Sequence, residues 1–397
     1  MLKSIFWALK DLFLQTFPIS AASATYTYGF LIHPRNEDDV LRKYPFFKFL
    51  SKPLIRLFTR WFWPVVVTKV TGLATAKGDE TIDGYIISIP LIAEQILSNR
   101  PLAVRRIRQA VTLAKRMGIK IIGLGGLTAS VTAGGEDLLD ISDIWITTGH
   151  AYTGYNVTQN LFNLEKTFFI DKHNDLVAIV GAAGSIGSIS AQLIARAGYC
   201  KLLLVDIERK SARVSALRET IRRSWPETEV TESYDISSIK DADFIIAATN
   251  TPEALITPDL LKPGAVVIDD AQPSDVAYEV LESPHNLAIE AGVVHTPGIS
   301  SNFNLGLKGK YDNFCCMAEV LILATHKWQS NFSIKTASLE FVDTIVAWGN
   351  HLHFTTAELQ NRKEKIAPHK LKAIATLRKR TVQSYMKRNN AISSRRH

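Results

Sequence analysis

Leu2, Ile5, Phe6, Leu9, Leu12 and Phe13 recur at helical spacing and predict an amphipathic helix within residues 1–25. Lys10 and Asp11 stop this run at about half the length a signal-peptide core needs. The segment therefore reads as a helix packed on the body or lying on a membrane surface. Residues 42–63 carry a second pattern: Arg42, Lys43, Lys48, Lys52, Arg56 and Arg60 occur without an acid, among Phe46, Phe47, Phe49, Phe58, Trp61, Phe62 and Trp63. Lys48, Lys52, Arg56 and Arg60 are four apart and predict one basic helical face despite Pro53. Rings beside cations suit a bilayer interface, and a solvated basic face over core aromatics is the plainer alternative.

From Tyr26 the pattern changes. Apolar runs at Tyr28–Ile32, Val65–Val70, Ile119–Leu124 and Ile144–Ile146 predict strands, with a helix over Leu102–Met117. The alternation continues through Leu176–Val180, Ser188–Ala197, Leu202–Val205, Phe244–Ala247 and Val266–Ile268, which favours mostly parallel sheets in two units. Tyr311–His326 predicts a further helix.

Composition excludes disorder and fibrous structure: of 397 residues, 46% are apolar and 21% charged. No apolar run reaches about 18 residues, which argues against a transmembrane span. Cys200, Cys315 and Cys316 are too few for a disulfide framework, so a reducing, cytoplasmic setting is expected. Charge is unevenly placed: from Arg362 onward twelve Lys/Arg face one acid, whereas the preceding residues hold 34 basic and 37 acidic groups. Such a tail is expected to meet an anionic surface. Only Tyr385 supplies an aromatic within it, so base stacking on nucleic acid is disfavoured.

The strongest motif follows Leu176-Val-Ala-Ile-Val180. Gly181-Ala-Ala-Gly184-Ser185-Ile186-Gly187 opens an apolar helix, in the order strand, glycine loop, helix, strand. Glycines permit the turn and let backbone amides approach a pyrophosphate, which the helix N-terminus stabilises. Asp206 ends the next strand; it suits a ribose 2′-hydroxyl and repels a 2′-phosphate, leaning toward NADH. Arg209 and Lys210 follow closely enough to hold that phosphate, which keeps NADPH open. Thr249 and Asp269-Asp270 fall at later strand ends, where ligands bind in open sheets.

Cys315 and Cys316 lie at the predicted start of the later helix, where Asp312 is a candidate cap. A helix N-terminus with Lys308 and Lys310 nearby favours a thiolate, the form that attacks a thioester. Buried packing thiols are the alternative.

These residues resemble the long-chain fatty acyl-[acyl-carrier-protein] reductases of cyanobacterial type. The likeness spans roughly Tyr26 to Phe354 and includes Val70-Thr71-Gly72, Arg105-Arg106-Ile107, Leu124–Thr128, Thr147–Thr153, Gly181–Ser188, Ile268-Asp269 and Cys316-Met-Ala-Glu319. It implies an aldehyde-forming reductase of long-chain acyl thioesters, with Cys316 rather than Cys315 taking the acyl group. The resemblance also implies that Gly125, Gly126, Thr128, Thr147 and Thr148 line the thioester site. Backbone amides near Gly125-Gly126 or the hydroxyls of Thr147 and Thr148 are then candidate oxyanion donors, and His150 or Tyr152 candidate proton carriers. Glu94 and His33 fall on family-like positions without an assigned role. Asp206 departs from a family that is NADPH-dependent, and segments 1–25, 42–63 and the tail after Arg362 have no family counterpart. His295 stands near a family histidine with spacing shifted by one residue.

The expected fold is α/β: a Rossmann-like parallel-sheet nucleotide domain, a second α/β substrate domain and a helical C-terminal segment. The expected divisions are an amphipathic segment 1–25, a substrate domain 26–170, a Rossmann NAD(P)-binding domain 171–290, a segment 291–360 carrying Cys316 back onto the substrate domain, and a basic tail 361–397. Expected partners are a long-chain acyl thioester, an acyl carrier protein, and an anionic membrane met through 42–63 and 362–397, with the protein peripheral on a membrane's inner face. Two rival readings are an amino- or keto-acid dehydrogenase with a structural Cys316, and a non-catalytic cofactor-binding adaptor at membranes.

Overall fold

The computed structural model describes residues 26–379 and, before them, residues 6, 9, 10, 12, 13, 16 and 17. The chain divides into two units, residues 1–153 with 293–355 and residues 154–292 with 356–397. The first crossing falls inside the helix His150–Phe162, not near residue 170 as the pattern of strands suggested.

The first unit contributes β1 (Thr27–Ile32), β2 (Val65–Ala74), β3 (Thr81–Ser88), β4 (Ile121–Leu124) and β5 (Trp145–Thr147). The second is built on β6 (Val177–Val180), β7 (Lys201–Val205), β8 (Glu229–Ser233), β9 (Phe244–Ala247), β10 (Val266–Asp269) and β11 (Leu287–Glu290). The chain then returns to the first unit with β12 (Val293–His295), β13 (Ser300–Ser301), β14 (Asp312–Phe314) and the helix Cys315–Thr325.

In the first unit the sheet order is β13-β2-β3-β1-β4-β5. Strands β3, β1, β4 and β5 are mutually parallel, while β2 and β13 extend the sheet antiparallel. Central β1 is apolar on both faces, as a covered parallel strand must be. Tyr28 sits opposite Gly84, whose absent side chain makes room: a Cβ there would lie 2.0 Å from the Tyr28 ring. The helix Cys315–Thr325 packs against this sheet, with Gly123 under Val320. It is apolar all round, the pattern of a core helix. The sequence pattern placed Asp312 as its cap; instead Asp312–Phe314 is a strand paired with β12, and the helix begins at Cys315 without a side-chain cap.

The second unit's sheet is wholly parallel in the order β11-β10-β9-β6-β7-β8, the doubly wound arrangement that reverses direction between β6 and β9. Alternate residues feed two cores: Val177 and Ile179 join one, Ala178 and Val180 the other. Both parts of the fold are thus the expected α/β class, with a Rossmann-like sheet in the second unit.

Two expectations change. Residues 42–63 are not one basic helix. Lys48 belongs to a 3₁₀ segment Pro45–Phe49, and Pro53 lies in the first turn of a separate helix, Lys52–Trp61, where a missing N–H costs nothing. Nor is everything after Arg362 a free basic arm. Ile366, Ile374 and Ala375 join the second unit's core, and Arg362 donates to Asp269 and to the Ala271 carbonyl. Arg378 is buried with Nη2 2.6 Å from Asp175 and Nη1 2.7 Å from Asp243. The acidic body absorbs these cations, because a tail cation can offset the desolvation of a buried carboxylate. The remaining basic residues, from Arg380, and most of the expected helix in 1–25 lie outside the described residues. No helix among the described residues is long and apolar enough to cross a membrane.

Arg378→Ala leaves buried Asp175 without its cation, while Asp243 keeps Lys262 at 2.8 Å, and is expected to cost about 3–5 kcal/mol, read as a fall in the urea midpoint of the second unit. Adding Asp175→Asn should return part of that loss; an unchanged midpoint in the single variant would contradict the buried pairing.

Candidate active site

Every residue of the helix Cys315–Thr325 is buried except Cys316. Cys315 is therefore a packing residue, and Cys316 is a partly exposed thiol residue in the first helical turn, where the N-terminal dipole favours a thiolate. Gly149 packs directly on it: a Cβ at Gly149 would lie 2.3 Å from the Cys316 Cβ, and its φ of +77° also requires glycine.

That approach is held by Glu319, one turn below Cys316. Oε1 accepts from the Gly149 N–H at 3.0 Å and the Ser333 hydroxyl at 2.6 Å, and also from the Thr147 hydroxyl. Oε2 accepts from the Tyr152 N–H at 3.0 Å. Burial raises the Glu319 pKa, and these donors oppose the rise. The sequence signal for this clamp was a single acid in an otherwise apolar helix; Ser333 carried no signal at all.

The predicted thioester-site residues occupy two turns of the first unit. Thr147 and Thr148 are buried, and their hydroxyls are spent on Glu319 and on the Ser333 carbonyl at 2.6 Å. They are structural ties and not oxyanion donors. In the other turn, Gly125 N–H donates to Leu31 O, Thr128 N–H and hydroxyl both donate to Gly125 O, and Leu127 N–H donates to His33 Nε2 at 3.2 Å. With His33 Nε2 accepting, its Nδ1–H donates to Pro34 O at 2.9 Å. His33 is thus a neutral bracket for the glycine turn, and burial lowers its pKa. Gly126 N–H has no acceptor among the described residues.

His150 opens the helix His150–Phe162, and its Nδ1 is buried without a partner among the described residues. Burial pushes its pKa down to about 4, so near neutral pH the ring is uncharged and only weakly basic. Tyr152 is buried and is tied to the clamp through its backbone. Glu94 pairs with Arg56 at 3.0 Å, a surface contact. His295 Nδ1 lies 3.2 Å from Asp312.

In the second unit Gly181 and Gly187 form a cradle that side chains would fill. A Cβ at Gly187 would meet Gly181 O at 2.3 Å, and one at Gly181 would meet Ala248 O at 2.6 Å. Gly184 precedes the helix Ser185–Arg196, whose first turn is Ser185, Ile186 and Gly187, so the N-terminal end of the helix dipole lies at the loop. The residues fit a dinucleotide pyrophosphate. Asp206 Oδ2 accepts from Ala183 N–H at 2.9 Å, Oδ1 accepts from Ile207 N–H at 2.8 Å, and Lys210 pairs with it at 3.1 Å. It therefore braces the loop, a tie that spacing did not indicate; Arg209 is exposed beside it. Thr249 donates both N–H and hydroxyl to buried Asp275, whose pKa burial raises to about 6.

Residues 163–290 match the shikimate/quinate 5-dehydrogenase family. The chain is 27% identical over 267 residues to aminotransferase PigE of Serratia sp., covering 66% of this chain but only 30% of that protein. It is also 27% identical over 290 residues to long-chain acyl-[acyl-carrier-protein] reductase of Synechococcus elongatus, covering 68% of this chain and 82% of the relative. A solved quinate dehydrogenase of Corynebacterium glutamicum, in complex with NAD, aligns at 15% identity over 61% of this chain and 79% of its own, with a TM-score of 0.31. The family match, the reductase relative and the glycine cradle agree on an NAD(P)-dependent dehydrogenase or reductase, with NAD(P) as its cofactor.

Glu319→Gln places an amide NH₂ against a backbone N–H and is expected to cost about 1–3 kcal/mol in denaturant unfolding; no loss would contradict the clamp. His150, with a folded pKa near 4 against an ordinary 6.5, binds its proton less well when folded, so stability falls as pH drops through that interval. His150→Gln should flatten the urea midpoint between those pH values relative to the parent, and an unchanged slope would contradict the burial of the ring.

Proposed function

We propose that the protein reduces a long-chain acyl thioester to a fatty aldehyde through an acyl-enzyme on Cys316. The carrying observation is that Cys316 is the one unburied residue of a core helix, at its N-terminal turn and against the Gly149 backbone. The Cys316 thiolate attacks the thioester carbonyl, a new carbon–sulfur bond forms, and the carrier thiolate leaves and takes up a proton. Gly126 N–H, which has no acceptor among the described residues, is suited to donate to the developing oxyanion. Gly181, Gly184 and Gly187 would hold the pyrophosphate of a reduced nicotinamide cofactor, which would supply hydride to the acyl carbon, the Cys316 sulfur leaving as thiolate when the aldehyde forms. Asp206 occupies the strand-end position that suits a ribose 2′-hydroxyl, so the reading leans toward NADH, although Lys210 pairs with it and Arg209 is exposed beside it.

The 27% identity to an acyl-carrier-protein reductase over most of that relative's length supports an acyl thioester and an acyl carrier protein as carrier. The amino- or keto-acid dehydrogenase reading draws on the match over residues 163–290 and would leave Cys316 without a chemical role.

The test is turnover with long-chain acyl thioesters on carrier protein or coenzyme A and each reduced cofactor, with aldehyde as the product measured. Cys316→Ala is expected to lose at least about a thousandfold, the scale of a removed nucleophile, while still binding NADH. Cys315→Ala should keep most activity. Aldehyde formation surviving in Cys316→Ala would overturn the assignment, and a clear preference for NADPH would overturn the Asp206 argument.

A further inference from the structure

Fifteen large apolar side chains are exposed among the described residues, and nine of them precede residue 62. Five sit on or beside the helix Lys52–Trp61: Phe49, Leu54, Leu57, Phe58 and Trp61, with Phe49 81% and Trp61 72% exposed. Positions 54, 57, 58 and 61 follow helical spacing, so they form one stripe.

The helix cannot roll to hide this stripe. Ile55 is locked into a core of Val40, Tyr44, Phe47, Val65 and Ile92. Thr59 is buried and donates to Gln95 Oε1 at 3.1 Å, while Arg56 bridges Glu37 and Glu94. Ile55 and Thr59 therefore face the body, and the apolar stripe faces away from it. Lys52 and Arg60 are exposed without an ion pair among the described residues, and Lys48 lies 5.0 Å from the Phe49 ring centroid.

We infer that the face formed by Phe49 and the helix Lys52–Trp61 docks on an anionic phospholipid bilayer. A helix lying in the interface plane needs this arrangement: Leu, Phe and Trp at the acyl boundary, with Lys and Arg at headgroup level. Segment 42–63 holds six cations and no acid; Arg42, Lys43 and Arg56 bind groups of their own unit, which leaves Lys48, Lys52 and Arg60 to complement anionic headgroups. A second copy would oppose cation to cation. In the described part of the tail, Arg362 and Arg378 are committed to carboxylates in their own unit. The inference does not depend on the chemistry of Cys316.

The test is flotation of the full-length protein with phosphatidylcholine vesicles, alone or containing phosphatidylglycerol. Binding to the anionic vesicles is expected, weakened by salt and by omitting the anionic lipid. Leu57→Ser/Trp61→Ser and Lys52→Glu/Arg60→Glu should each lower partitioning by at least about tenfold. Both pairs are surface changes, and unchanged circular dichroism and NADH binding would show that the variants are folded. Absence of wild-type binding to anionic vesicles, or binding untouched by both double variants, would overturn the inference. So would a dimer or a carrier-protein complex that Leu57→Ser/Trp61→Ser disrupts while vesicles remain unbound.

Discussion

The carboxylate of Glu319 lies wholly inside an apolar helix, where desolvation alone costs several kcal/mol. Four donors from two other segments converge on it, and hydrogen bonds to a charged group return about 1.5–3 kcal/mol each. The consequence is geometric. The segment from Thr147 to Tyr152 is pinned to the helix one turn below Cys316, and Gly149 is drawn onto that residue. The rest of the helix is buried, and Cys316 alone is partly exposed. The shape of the turn beside it thus follows from one buried acid.

Much of this fold was legible in the chain. The second unit is built from local strand–helix units whose apolar runs are continuous, so β6, the glycine loop and β7 fell close to the expected positions. The edges of the first unit were not legible. β13 is two residues long and pairs with β2, and β14 pairs with β12, contacts that join distant segments without a local pattern. Asp312 illustrates the difficulty: as an acid before an apolar run it has the signature of a helix cap, yet strand pairing claims it. The glycine turns and Cys316 stood out in the chain, whereas nothing in it indicated that the hydroxyls of Thr147, Thr148 and Thr249 serve internal carboxylates and carbonyls.

Charge composition misled where it was summed by segment. The tail from Arg362 is strongly basic in sequence, but Arg362 and Arg378 complete buried pairs and their helix and turn join the core of the second unit. Lys and Arg on the helix Lys52–Trp61 present the opposite case, since only Arg56 is absorbed by neighbouring acids. Among the described residues the tail therefore offers less basic surface than its composition suggests, whereas Lys52 and Arg60 lie beside exposed rings.

The most direct measurement is peptide-mapped mass spectrometry of the protein after incubation with a long-chain acyl thioester and no reduced cofactor. The account predicts one acyl adduct, on Cys316, that disappears with release of aldehyde when NADH is added. An adduct on Cys200 or Cys315 alone, or turnover in the absence of any protein adduct, would contradict it.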